Sequence, residues 1–505
     1  MRVRRRGLGS GLLAASLAGT AWAQQPPAPG ERFDPGAVRA LARARAAGAY
    51  REPDRGLPEG LRDLDYDRYR ALRFDPRSAL WREQGLPFHV QLFHRGFLYP
   101  ERVDLFEVVD GVVQPIAYDP GRFDFGTIKR PEAGADLGYA GFRLHAALNR
   151  PEYFDEVAVF LGASYFRGVG KDTLYGLSAR GLAIDVAERK GEEFPRFVSF
   201  WIERPRVGAS SVVVHALLDS PSCAGAYRFT IRPGETTVMD VEAALYPRVE
   251  MGSVGLAPMT SMYLFAANDR QGADDYRPAV HDSDGLLMLT GGSEQVWRPL
   301  SNPRDLQVSV FGANDPRGFG LVQRAREFGA YQDLEARYEK RPSLWVEPIG
   351  DWGEGSVVLV EIPTATEIHD NIVSFWRPAR PLAAGAERIL TYRLHWGAGV
   401  PLPETLARVE ATRIGAAEVA GARRFVLDVA GAPLAALAEG QAPELELWSG
   451  GGELRNPTLT RHPTPGRWRI AFELHPGDQG LIELRARMKL GDRALSETWL
   501  YRWTT

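Results

Sequence analysis

Two short stretches set acidic groups beside aromatic ones. His281-Asp282-Ser283-Asp284 follows a loop rich in aspartate (Asp269, Asp274, Asp275), and Glu367-Ile368-His369-Asp370-Asn371 precedes Phe375-Trp376. Tyr338, Arg341, Trp345 and Trp352 lie between them. Breaking a glycosidic bond commonly takes two carboxyl groups, one of them kept protonated so that it can give its proton to the leaving oxygen. Flat aromatic faces suit sugar C–H groups, and the chain has 12 Trp, 17 Tyr and 23 Phe, although an aromatic-rich β core needs as many. Spacing alone leaves plainer readings open. An aspartate in a Gly/Ser loop is commonly a turn former or cap. A tryptophan at strand spacing is commonly core, and an arginine such as Arg180 is commonly solvated or ion-paired.

Other chemistries lack their residues. The nine histidines are scattered, and the sequence contains no HExxH, no GxxxxGK[ST] and no GxSxG. Gly168-Val169-Gly170 lacks the third glycine of a nucleotide loop. Zinc enzyme, NTPase and serine hydrolase are therefore set aside, and no cofactor or metal is expected. The single cysteine, Cys223, excludes an internal disulfide and cysteine-based metal clusters, and reads as a small buried apolar residue. A formal charge of −3 gives no basic surplus for nucleic acid.

The elements that must position these residues are mostly strands. The 53 glycines and 36 prolines favour many short elements. Residues 1–23 read as an export signal: Arg2, Arg4, Arg5 and Arg6, a mildly apolar stretch, then Ala21-Trp22-Ala23. The arginines and the weak apolar stretch point to the twin-arginine route, with an ordinary secretory signal as the alternative. That stretch is too short for stable membrane insertion. Residues 24–32 are expected to be a disordered linker and 35–49 a helix capped by Asp34. A second helix is expected near 324–338. Runs at 212–217 and 357–362 are β-rich, and in 388–396 Leu390, Tyr392, Leu394 and Trp396 share one face. A Gly/Pro-rich linker at 397–403 divides a large, mostly antiparallel β domain, 33–396, from an immunoglobulin-like sandwich, 404–505, whose final strand is 497–503. In the sandwich Phe425, Leu427 and Val429 share a face, as do Trp468, Ile470, Phe472 and Leu474. Trp448, Trp468 and Trp503 are read as its core. This sandwich is expected to pack on the large domain or on a second copy in a homodimer.

Several longer stretches resemble the periplasmic glucans biosynthesis protein G/D family: FLGASYFRGVG (160–170), YGLSARGLAID (175–185), HDSDGL (281–286), YEKRPSLWVEP (338–348), EIPTATEIHDNIVSFWRP (361–378) and SETWLYRW (496–503). The resemblance runs in order through most of the mature chain, and the N-terminus is similar to the signal typical of the D branch. It implies a β-supersandwich of the galactose mutarotase type for 33–396, followed by the immunoglobulin-like domain. It implies a periplasmic protein acting on osmoregulated periplasmic glucan with a β-1,2-linked backbone, by inverting glycosidase or transglycosylase chemistry. The alternative is a glucan-binding assembly factor that breaks no bond. By motif, Asp370 matches the family's general acid and Asp282 its general base, the latter acting through a chain of hydroxyl and water protons. Tyr338 and Glu367 match positions near that chain or the sugar, and Arg180 and Trp345 are expected to contact substrate. One departure is the short segment 414–422, where relatives carry a longer aromatic loop. That shortness makes transfer to a sugar hydroxyl a serious alternative to hydrolysis.

Overall fold

The structure is a computed structural model that describes residues 29–505 apart from 133, 271 and 439. The export signal and the first part of the expected linker lie outside the described residues. The end of that linker is ordered on a sheet edge: the Gly30 N–H donates to the Val113 carbonyl at 3.0 Å, and the Phe33 N–H to the Gly111 carbonyl at 2.7 Å. The helix Pro35–Ala47 follows. Asp34 accepts from the Gly36 N–H at 2.8 Å, and Pro35 supplies the helical φ where no N–H partner is needed. It buries Val38, Leu41 and Ala42 against Trp201, Leu217 and Ala244.

Three short helices aside, strands form most of the rest of the described residues. Ten make one open sheet and fifteen another, and neither closes into a barrel. Their facing sides hold the main core. Phe142 stacks on Phe160 and Phe160 on Phe166, at 5.2 and 5.4 Å, and Phe200 and Phe229 of the opposite sheet meet this ladder edge-on at 5.1 Å. The strand Val212–Asp219 explains its own unbroken apolar run: Val214, Ala216 and Leu218 face the main core while Leu217 lies under the helix. With both faces covered, alternation has no reason to appear. Where one face meets solvent, alternation returns. In Arg388–Gly397, Leu390, Tyr392, Leu394 and Trp396 are buried while Arg393 pairs with Asp240 at 2.6 Å.

Beyond 397–403, the strands Arg408–Ala416, Arg423–Ala430, Glu453–Arg461 and Arg467–His475 form a four-stranded sheet. Glu444–Ser449, Leu481–Leu490 and Thr498–Thr504 cover it. Phe425 and Phe472 stack at 5.0 Å in this second core, with Trp499 and Tyr501 edge-on to Phe425. The covering strands also continue the fifteen-stranded sheet, because Val296 and Trp297 pair in parallel with Thr498 and Trp499. The molecule is thus mostly β, built of stacked sheets in the manner of sandwiches, with one sheet running across the expected boundary.

Two expectations are corrected. Residues 324–338 form no α-helix. They hold a short 3-10 turn, Phe328–Ala330, and a second begins at Tyr338 (Tyr338–Lys340). Gln332 and Arg337 adopt left-handed backbone, φ 56° and 50°, which a helix cannot contain. Trp468 and Trp503 are core, but Trp448 is 56% exposed on an outer strand. Cys223 is buried, and burial pushes its thiol up to about 12, so it is inert. Among the described residues, no helix is long and apolar enough to cross a membrane.

Candidate functional site

The strand Ile372–Pro378 lies between Glu354–Glu361 and Val254–Ser261 in the ten-stranded sheet. The loop 362–371 precedes it, and Asn371 closes the base of that loop. Its Oδ1 accepts from the Tyr263 N–H at 2.9 Å, and its Nδ2 donates to the carbonyls of Tyr263 and Ile362 at 3.0 Å each. Asp370 is the preceding residue, so its place is fixed from below. Tyr263 also stacks on His281, 5.4 Å between ring centres, and the strand Val280–His281 pairs with Tyr263–Phe265. The next residue is Asp282, whose N–H donates to the Met262 carbonyl at 2.9 Å. One clamp and one small hairpin thereby bring together two aspartates 88 positions apart in sequence.

Two arginines complete the pair. Arg341 donates twice to the Ala336 carbonyl, at 3.1 and 2.8 Å, and once to that of Tyr175. Held there, its Nε lies 3.5 Å from Asp282 Oδ1. Arg167, on the strand Tyr165–Gly168, donates to Ser178 Oγ at 2.6 Å and reaches within 3.9 Å of Asp370 Oδ2. Glu367 accepts from the Tyr338 hydroxyl at 3.0 Å and pairs with Arg277 at 2.8 Å, while Arg277 also binds Asp275 and Asp333 at 2.8 Å.

The two carboxyls experience different surroundings. Asp282 is buried, and burial raises it from 3.8 to about 6; the Arg341 charge opposes the rise and the Asp370 charge adds to it. Asp370 is crowded by surrounding protein, yet its side chain keeps 36% exposure. The crowding raises its pKa, and Arg167 pulls it back. Burial, helped by the adjacent Glu367 charge, also raises the Tyr338 hydroxyl far above the neutral range, so it acts as a hydrogen-bond donor.

Of the six residues expected from the sequence, Asp370, Asp282, Tyr338 and Glu367 come together. Arg180 and Trp345 do not offer a surface to a ligand. Arg180 is 2% exposed, pairs with Glu192 at 2.5 Å and lies against the rings of Tyr165 and Phe194. Trp345 is 1% exposed; Gly318 leaves the space its indole fills, and a Cβ there would collide with the ring. Arg167, Arg277 and Asn371 complete the site and were not singled out by residue type. Arg167 and Asn371 stand inside the distinctive stretches FLGASYFRGVG and EIHDNIV, the one sequence signal that could have found them.

Stacked open sheets carrying two aspartates with unequal shielding, each faced by an arginine, describe the class of protein. The chain belongs to the family described as periplasmic glucan biosynthesis protein, MdoG, whose family model matches residues 33–503. It is 57% identical over 472 residues to a protein of Rhodopseudomonas palustris (strain ATCC BAA-98 / CGA009) named Glucans biosynthesis protein G, covering 94% of this chain and 93% of that one. A protein of the same name from R. palustris strain BisA53 is 55% identical over 98% of this chain and 97% of its own. A Vibrio cholerae protein of that name is 52% identical, over 94% and 87%.

Proposed function

We propose that this protein acts in the periplasm on osmoregulated periplasmic glucan during its biosynthesis, and that the carboxyl pair performs inverting acid/base chemistry on a β-1,2-linked backbone. The observation that supports this is the unequal pair: Asp370 partly exposed, and Asp282 shielded beside Arg341. The names of the relatives support the glucan role. In this reading Asp370 gives its proton to the glycosidic oxygen. A sugar seated on its exposed part displaces water and further disfavours the carboxylate, while Arg167 at 3.9 Å opposes only weakly. Asp282, at about 6, is mostly ionised at neutral pH and takes the proton of the attacking hydroxyl, relayed through intervening hydroxyl groups. That hydroxyl belongs to water in hydrolysis and to a sugar in transfer.

The segment 414–422 bears on that choice. It is a tight hairpin, with Ala416 opposite Arg423 and the Ile414 N–H donating to the Ala267 carbonyl at 3.1 Å. A short hairpin leaves room for a sugar acceptor and favours transfer as the second reading. The test is incubation of the purified chain with linear β-1,2-glucan, followed by mass and anomeric NMR. Shorter chains that gain water with inverted anomeric configuration mean hydrolysis; new linkages or rings at constant mass per glucose mean transfer. Asp370→Asn should abolish turnover and keep glucan binding. Turnover retained in that variant removes Asp370 from the role of acid, and glucan bound without any product leaves a binding and assembly protein.

A further inference from the structure

The loop that carries Asp282 is gripped from behind. Asp284 Oδ2 accepts the backbone N–H of Arg324 and, at 3.0 Å, that of Ala325, while its Oδ1 lies 3.3 Å from His281 Nε2. Gln323 accepts from His281 Nδ1 at 3.0 Å. Its Nε2 donates to the carbonyls of His281 and Tyr338, both at 3.1 Å. Residues 323–325 therefore hold both the Asp282 loop and the turn bearing Tyr338.

The side chain of Arg324 points the other way, into the C-terminal sandwich. Its Nη1 and Nη2 meet the two carboxylate oxygens of Glu497 at 2.6 and 2.8 Å. Nη1 also donates to the Val409 carbonyl at 2.7 Å, and the Val409 N–H donates to Glu497 Oε1 at 2.8 Å. The guanidinium lies 3.5 Å from the centre of the Trp297 ring. The Glu497 carboxylate has no exposed surface. A buried ion pair adds little stability over a well-packed apolar pair, because both charges lose their water. What a two-pronged Arg–carboxylate contact does add is a single allowed geometry.

We infer that Glu497 is a positioning residue for the carboxyl site: through Arg324 it sets where Asp282 and Tyr338 stand, and so makes the C-terminal sandwich part of the catalytic apparatus. This rests on the reading of Asp282 as the base. The charges that bear most on Asp282 are Arg341, Asp370, Arg167 and Glu367; Glu497 bonds instead to Arg324 and to the Val409 N–H, so the influence inferred for it is geometric. A second contact across the same seam serves as control. Glu294 accepts from Arg485 at 2.8 Å and Thr498 at 2.6 Å, and its carboxylate bonds neither 281–284 nor 323–325.

The experiment compares Glu497→Gln, Arg324→Lys and Glu294→Gln in the full chain. Amide exchange is read at Asp282 and Asp284, whose N–H groups donate to the Met262 and Val322 carbonyls. Turnover of linear β-1,2-glucan is read alongside. The first two variants should speed exchange at these amides by about tenfold, while Glu294→Gln leaves them as in the parent chain. They should also lower kcat by about tenfold with KM nearly constant, since the base is displaced while the sugar contacts remain. Exchange in Glu497→Gln equal to that in Glu294→Gln overturns the proposal. A parent chain that turns over no glucan defeats the catalytic reading of Asp282 instead, and the exchange comparison still decides whether Glu497 holds the loop. If Glu497→Gln fails to fold, Arg324→Lys, which keeps the charge but loses the two-pronged contact, carries the comparison.

Discussion

A carboxylate kept out of water is held at a cost, and Asp282 shows its size. Its pKa rises from 3.8 to about 6, so the native state favours the protonated acid. Stability from this group is full below pH 3.8 and lost as pH rises through 6, about 3 kcal/mol by pH 7 at 1.36 kcal/mol per unit. Asp282→Asn should therefore match the parent in stability near pH 3, where both are neutral, and exceed it by about 3 kcal/mol at pH 7. Urea unfolding at the two pH values measures this, and equal stability at pH 7 would contradict a buried ionised carboxyl. The same titration governs activity. Turnover should fall as pH drops through about 6, because the protonated acid cannot take a proton. Asn at 282 should remove turnover at every pH. Residue types and motifs made this pair legible in the sequence. What they could not give is shielding. Trp345 and Arg180 have suitable chemistry for a sugar wall, but packing on Gly318 of the paired strand and an ion pair with Glu192 in a nearby loop withdraw them, and residue type alone does not foretell those contacts.

The loop 362–371 is closed at its base by one side-chain amide. Asn371 satisfies three backbone groups: the N–H and carbonyl of Tyr263 and the carbonyl of Ile362. Asn371→Ala leaves all three without these partners in a buried setting, which should lower stability by about 2–4 kcal/mol. It should also reduce kcat, because Asp370 loses its fixed neighbour; a variant of full activity and parental unfolding midpoint would refute the clamp. Alternating strands such as Arg388–Gly397 were readable because one face meets water. Residues 324–338 misled because their three-and-four spacing imitates a helix. Their backbone instead follows the partners of Arg324, Arg326 and Asp333. Arg326 donates to the Arg341 and Ala398 carbonyls, and Asp333 accepts the Glu335 and Ala336 N–H groups, so the segment is shaped by what it binds. Local pattern carries no record of partners as far away as Ala398 and Glu497.

The two sandwiches share a sheet and a core, and that decides how the whole chain unfolds. Leu287, Trp297, Val322 and Trp345 of the larger part are buried in one cluster with Trp499, Tyr501 and Phe425 of the smaller. Each such side chain contributes about 1.5–3 kcal/mol by leaving water. The strand Gln295–Pro299 also has Thr498–Thr504 as its outer neighbour. Ending the chain after residue 397 would expose these four apolar groups together and turn Gln295–Pro299 into a bare edge, the combination that drives aggregation. The full chain is therefore expected to unfold in one calorimetric transition. The shortened chain should be recovered only as aggregate, or with its midpoint lowered by about 10 °C at a loss on the order of 8 kcal/mol. Two separate transitions in the full chain, or a shortened chain of parental midpoint, would show that the sandwiches are independent. The Gly/Pro composition of 397–403 suggests such independence, because a linker is visible in a sequence while parallel pairing between strands 200 positions apart is not. Cooperative unfolding would mean that Glu497 cannot move without Arg324 and the Asp282 loop, and that the smaller sandwich is held in the register the carboxyl site requires.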